Sequence, residues 1–164
     1  MKMSTEKFKN ILVEKFGEGI ILQADQQSIT VPTEKIAEVC QLMLEHEDCY
    51  FDMLSCLTGL DNGVEKATME VIYHLYSIPY EHKLMLKVVF PRSEKGEALP
   101  EVPTVSTIWK TADWHEREAF DLVGINFVGH PDLRRILLPE DWDGHPLRKD
   151  YQAQEYYHGI QVKY

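Results

Sequence analysis

Apolar residues in the first third of the chain recur at helical spacing. Phe8, Ile11, Leu12 and Phe16 lie three and four apart, which predicts an amphipathic helix over residues 5–16. Ser4 is placed to cap it, and Gly17 and Gly19 to stop it. Residues 20–23 and 28–31 read as two short strands around the turn Ala24-Asp25-Gln26-Gln27. Pro32-Thr33-Glu34 is a helix-start signal, after which Ile36, Val39, Cys40 and Met43 carry a second helical stripe to about Glu45.

The period then shortens to two. Residues 50–60 form a strand-like run that ends at the turn signal Asp61-Asn62-Gly63. Along 68–78, Met69, Val71, Tyr73 and Leu75 alternate with Glu70, Ile72, His74 and Tyr76. Residues 84–90 form a further strand across the turn at 79–83. These runs predict an α+β fold, an antiparallel meander with two helices covering one face.

At Pro91 the regularity fails. Residues 92–103 read as a loop, 105–110 as a short helical turn, and 114–123 as a helix closed by Gly124. From Ile125 onward there is little periodicity. An irregular segment of that length is functional, disordered or laid on a partner. Its Leu, Ile, Phe, Trp and Tyr content argues against disorder. Aromatics with arginine suit the core of an interface. The chain is therefore expected to divide into an α+β body over 1–103 and, over 104–164, a helix with an extended C-terminal docking arm, the two forming one structural domain with an extension.

Composition narrows the partners. The chain has 164 residues, a single-domain length, with a formal charge of −10. That charge disfavours polyanions such as nucleic acid and anionic lipid surfaces. Three cysteines, Cys40, Cys49 and Cys56, without a CxxC pair do not make a disulfide framework, and a reducing compartment fits them. The polar start MKMSTEKFKN has no signal-peptide core, and no apolar run approaches a membrane span.

Candidate chemistry concentrates in 114–151. Trp114-His115-Glu116-Arg117-Glu118 begins like a helical zinc-protease motif, but the second histidine would fall at Ala119. Glu118 and Asp121 share a helix face, as do Arg117 and Asp121. They suit either acid–base work or an Arg–carboxylate network fixing this helix to the following segment, and the network is favoured. His130 before Pro131 and His145 before Pro146 lack tight metal-ligand spacing. Neither a phosphate-binding glycine loop, nor a GxSxG elbow, nor an iron–sulfur cysteine set occurs.

The run EREAFDLVGINFVGHPDLRRILLPEDWDGHPLRKDY, residues 116–151, resembles the signature of the C subunit of NADH-quinone oxidoreductase, the thirty-kilodalton subunit family of complex I. Glu116, Arg117, Glu118 and Asp121 meet its acidic–basic opening, followed by apolar Leu122 and Val123. His130, Arg134, Ile136 and Leu137 fill its remaining positions. Leu138-Pro139, Asp141-Trp142 and the stretch 144–151 extend the likeness, and Gln152 departs from it where many relatives carry proline.

The resemblance implies a cofactor-free subunit of the peripheral arm of a proton-translocating NADH:quinone oxidoreductase. NADH, FMN, iron–sulfur clusters and quinone would belong to partner subunits. It implies packing against the quinone-site large subunit, near the terminal-cluster subunit, on the cytoplasmic face of a bacterial inner membrane. Arm-fixing or docking roles are expected for Glu116, Arg117, Glu118, Asp121, His130, Pro131, Arg134, Arg135, Trp142, His145, Pro146, Leu147 and Arg148. Arg134, Arg135 and Arg148 are expected to reach carboxylates inside the arm or on the partner, and Trp142, Pro146 and Leu147 to supply buried anchors of the interface. The alternatives are the equivalent subunit of a membrane-bound hydrogenase or ferredoxin-dependent quinone reductase, and, further off, a stand-alone zinc hydrolase. A chain isolated from partners is also able to self-associate through an apolar arm.

Overall fold

The computed structural model describes residues 5–94 and 96–162. The Ser4 cap lies outside them. Helix α1, Thr5–Phe16, buries Phe8 and Leu12, and Ile11 and Phe16 pack at its margin. Gly17, at φ 86°, ends it in a conformation that costs other residues more. A single 3₁₀ turn, Glu18–Ile20, follows and buries Ile20. The first strand is therefore displaced from 20–23 and reduced to β1, Gln23–Ala24. It pairs antiparallel with β2, Ser28–Thr30. Asp25 shapes the turn by accepting the N–H groups of Gln27 and Ser28. After a 3₁₀ turn at Thr33–Lys35, α2, Ile36–Glu45, buries the whole anticipated stripe Ile36, Val39, Cys40 and Met43.

The meander forms as expected. β3 (Met53–Asp61), β4 (Thr68–Ser77) and β5 (His82–Pro91) are antiparallel neighbours. The sheet order is β1-β2-β5-β4-β3, and the β2–β5 pairing is parallel, so the sheet is mixed. A bulge lies between Leu54 and Cys56. It lets both Leu54 and Leu57 turn inward although they are three residues apart.

Among the described residues the anticipated third helix joins the first two against the inner face. α3, Lys110–Val123, starts four residues earlier than the pattern indicates and packs on β3. Gly59 makes this possible: a Cβ there would lie 2.9 Å from Ile125 and 3.1 Å from Ala119. Trp109, just before α3, donates its Nε1–H to the Phe51 carbonyl. The expected loop at 92–103 contains β6, Glu101–Pro103, which pairs parallel with β7, Asn126–Val128. Val102, Val105, Ala112, Val123, Ile125 and Phe127 belong to the same core as Phe8 and Tyr73. Packing is thus continuous across position 103/104, and the irregular arm proper begins beyond Val128. It ends in a small hairpin, β8 (Tyr156–Tyr157) with β9 (Ile160–Gln161).

Candidate docking surface

The side chains of α3 reach three separate places. Glu116 is wholly buried, with Val105 N–H donating to Oε1 at 2.7 Å and Thr104 Oγ1–H donating to Oε2. Burial pushes its pKa up to about 7 despite these bonds. His130 closes the same corner with a buried ring. Nε2 lies 3.1 Å from the Asp113 carbonyl and 3.9 Å from Glu116 Oε2, and Nδ1 lies 3.0 Å from the Asp132 N–H. A carbonyl only accepts and an N–H only donates, so the proton sits on Nε2.

Arg117 reaches the C-terminal segment. Nε–H donates to the Arg134 carbonyl at 3.2 Å and a terminal N–H to the Arg135 carbonyl at 3.4 Å. Its guanidinium lies 5.4 Å from the Trp114 ring.

Asp121 holds the arm most firmly. Its Oδ2 accepts three consecutive backbone N–H groups, from Ile136 at 3.0 Å, Leu137 at 2.8 Å and Leu138 at 2.9 Å. Oδ1 accepts from Arg135 at 2.8 Å. Burial works to raise the Asp121 pKa, but the three N–H groups and Arg135 outweigh it and hold the carboxyl below its ordinary range. The other arm of the Arg135 guanidinium donates to the carbonyls of Trp142 at 3.0 Å and Gly144 at 2.9 Å. His145 Nδ1–H donates to the Asp121 carbonyl at 2.8 Å, and burial lowers its pKa. Its ring lies against Gly124, the α3 cap at φ 76°, where a Cβ would come within 2.6 Å. Both the left-handed backbone and the ring exclude a side chain at 124.

A second carboxylate ties the arm to the sheet. Asp61, at the end of β3, accepts Arg92 Nε–H at 2.9 Å and the Lys149 N–H at 2.8 Å. Arg92 also pairs with Asp150. Burial raises the Asp61 pKa, and Arg92 with the backbone donors of Lys149 and Gly63 brings it below the ordinary value. Arg148 donates to the Ser93 carbonyl at 2.7 Å and its Oγ at 3.0 Å. Leu147 N–H donates to the Leu122 carbonyl at 2.8 Å.

One anticipated internal role needs correction. Glu118 is exposed and takes no part in this network. Within this chain Arg148 donates to main chain and a hydroxyl. Leu147 is 57% exposed, so its burial as an anchor would have to come from a partner. Arg134 pairs with Asp132 at the surface, and Pro131 is exposed. Pro146 is half-buried. Trp142, also half-buried, donates Nε1–H to Tyr151 at 3.1 Å and meets the Tyr157 ring at 5.2 Å. Asp61, Arg92, Ser93 and Thr104 also belong to the network, and the sequence pattern does not single them out. Their partners lie 12 to 88 residues away, and no local signal marks them.

Among the described residues no group of three or more His, Cys, Asp or Glu is placed to hold a metal ion. No described helix is long and apolar enough to cross a membrane. Around the tied arm, Trp114, Leu137, Leu147, Tyr156 and Ile160 are left exposed.

Fold and site define an α+β domain with a C-terminal extension fastened by buried carboxylates. A family model described as the 30 Kd subunit of respiratory-chain NADH dehydrogenase matches residues 29–157. The chain is 43% identical over 159 residues to the NADH-quinone oxidoreductase C subunit of Chloroherpeton thalassium, covering 94% of this chain and 63% of that relative. It is 40% identical over 162 residues to the corresponding C subunit of Chlorobium phaeobacteroides, covering 94% and 93%. The chain thus spans less than two thirds of the first relative and nearly all of the second. Among solved structures, a chain of the membrane-bound sulfane sulfur reductase, an archaeal respiratory membrane complex, aligns with a TM-score of 0.71 at 26% identity, covering 90% of this chain and 84% of that one. The chain belongs to the respiratory-chain NADH dehydrogenase 30 kDa subunit family.

Proposed function

We propose that this chain is a non-catalytic, cofactor-free subunit of an NADH:quinone oxidoreductase that docks onto the quinone-site large subunit through its C-terminal arm. NADH, FMN, iron–sulfur clusters and quinone would reside in partner subunits, among them the terminal-cluster subunit. The chain would be held peripherally at the cytoplasmic face of the membrane by those partners.

One observation carries this reading. Asp121, Asp61 and Arg135 use their hydrogen-bonding capacity on fixing the arm, while Leu137, Leu147 and Trp114 stay exposed on and beside it. A rigid irregular segment showing apolar side chains is suited to docking with little ordering cost. The test is recovery of the tagged chain from detergent-solubilised native membranes, with partners identified by mass spectrometry. The large quinone-site subunit and NADH-binding subunits should co-purify, and Arg134→Glu or Leu147→Glu should remove them while the isolated variants melt as wild type. Recovery of hydrogenase or ferredoxin-linked subunits would move the chain to a sister complex, and recovery of the chain alone would sink the docking reading.

A further inference from the structure

All three helices lie on the inner face of the sheet, and no described element covers the outer face. A sheet face left to water ordinarily carries polar residues. Here the outward positions are mixed: Glu70, Lys83 and Lys87 are polar, whereas Met53, Leu60, Ile72, Tyr76, Met85 and Val89 are apolar. Cross-strand register makes neighbours of Met53, Tyr76 and Lys83, and of His74 and Met85.

At one end this face becomes concave. The β1–β2 turn overhangs it, fixed by Thr5 Oγ1–H donating to the Gln26 carbonyl at 2.7 Å and by Met85 N–H donating to the Gln27 carbonyl at 3.1 Å. The cavity between holds about 760 Å³. That lies within the usual range of ligand and anchor pockets. Met53, Met85 and Tyr76 are among its lining residues, and the two thioethers adapt readily to an inserted side chain. Lys83 and His74 line it and no described carboxylate does, in a chain of net charge −10. Lys83, its Nζ 5.9 Å from the Tyr76 ring, is the one formal charge among the described residues lining this hollow, and it favours an occupant that brings a carboxylate.

We propose that this outer face is a second docking surface, taking an acidic segment of a partner protein that inserts an apolar side chain between Met53 and Met85 and sets a carboxylate against Lys83. The hollow at Met53 and Met85 takes no described lining residue from the arm, whose Leu147 and Lys149 reach the other end of β3 at Leu60. A subunit using both would bridge two neighbours. The inference rests on the chain working inside an assembly, as proposed above.

The purified native assembly and the free chain supply the test. Hydroxyl-radical footprinting reads Met53 and Met85 on the sheet, and Trp114 and Leu147 beside the arm. Zero-length carbodiimide coupling reads whether Lys83 touches a carboxylate. Expected are an oxidation rate of Met53 at least five-fold slower in the assembly and an amide link from Lys83 to an Asp or Glu of another subunit. If Trp114 and Leu147 are protected but Met53 is not, the outer face meets solvent and this inference falls while arm docking stands. If neither region is protected, the docking function itself fails. Protection of Met53 with Lys83 linked to no other subunit would overturn the acidic partner and leave a lipid or small molecule as the occupant.

Discussion

Up to Phe127 the chain is held by one apolar core in which Phe8, Phe51, Tyr73 and Leu86 are wholly buried, whereas beyond it no described residue joins that core and only Leu133 packs partly against it. The arm is held by hydrogen bonds that converge on Asp121, Asp61 and Arg135. Apolar packing spreads its energy over many contacts and tolerates substitutions of similar volume. A carboxylate gathering several donors does not: removing it strands every donor at once. The body should therefore be robust in detail but fail globally, and the arm should be fragile at single residues but fail locally.

The strongest test of this contrast is a deletion in the core. Phe51 lies 5.1 Å from Phe8, ring to ring, with no exposed surface. Phe51→Ala should cost about 4 kcal/mol through lost burial and a residual cavity. Urea denaturation followed by far-ultraviolet dichroism should show one cooperative transition moved to lower denaturant, with the arm lost along with the body. A variant that lost only the arm would break the comparison.

Asp121→Asn comes next, at about 3 kcal/mol, because a largely buried Arg135 and three N–H groups lose their anion. The amide presents donors where donors already converge. Amide exchange over 134–148 should rise at least a hundred-fold, with β4 and β5 unchanged. Equal acceleration in β4 and β5 would make Asp121 a core residue of the whole domain. The depressed pKa of Asp121 gives the matching pH dependence. Its folded pKa lies below the unfolded value of about 3.9, so its contribution is present above that pH and is lost as pH falls through the folded value. The arm of the wild type should accordingly loosen in acid.

The same contrast explains what the sequence discloses. The stripes Phe8–Leu12 and Ile36–Met43 and the alternation along β4 are local patterns, so the two helices and the meander can be read directly. The third helix is legible only from Trp114, because Lys110-Thr111-Ala112-Asp113 holds too few apolar residues to mark a face. β6 and β7 carry no such signal, since they pair across 25 residues and are three residues each. The Arg–carboxylate network is legible for Arg117 and Asp121, which share a helix. Its other half is not: Asp61 reads as part of a turn, and only folding brings Lys149 to it.

Glu116→Gln probes where the two regions meet, since Thr104 and Val105 lead into α3 and His130 opens the arm. The carboxyl titrates near 7 when folded, above its unfolded value of about 4.3. A raised folded pKa means that its stabilising contribution is complete below the unfolded value and is lost as pH rises through about 7. Between pH 5 and pH 8 the wild type should lose about 2 kcal/mol on this account, and the glutamine variant should not. Urea titrations of both at the two pH values measure the difference. Parallel loss in both proteins would show that Glu116 does not couple folding to pH.

Trp142→Ala should have the smallest effect on the isolated chain and a larger one on assembly. Its ring is half-buried, covered by Tyr157, and its one hydrogen bond goes to Tyr151. Both partners are themselves in the arm, and neither the body core nor Asp121 depends on the indole. Truncation should therefore cost the isolated fold about 1 kcal/mol or less, a change of a few degrees in thermal midpoint. If the tryptophan meets a partner on docking, the same change should weaken assembly by about 2 kcal/mol, roughly thirty-fold in dissociation constant. Quantitative co-purification compared with thermal melting separates the two. Equal losses in both would make Trp142 a structural residue of the arm and shift the docking surface to Leu137 and Leu147. Loss confined to assembly would show that the hairpin covering Trp142 in the free chain gives way to, or is joined by, the partner.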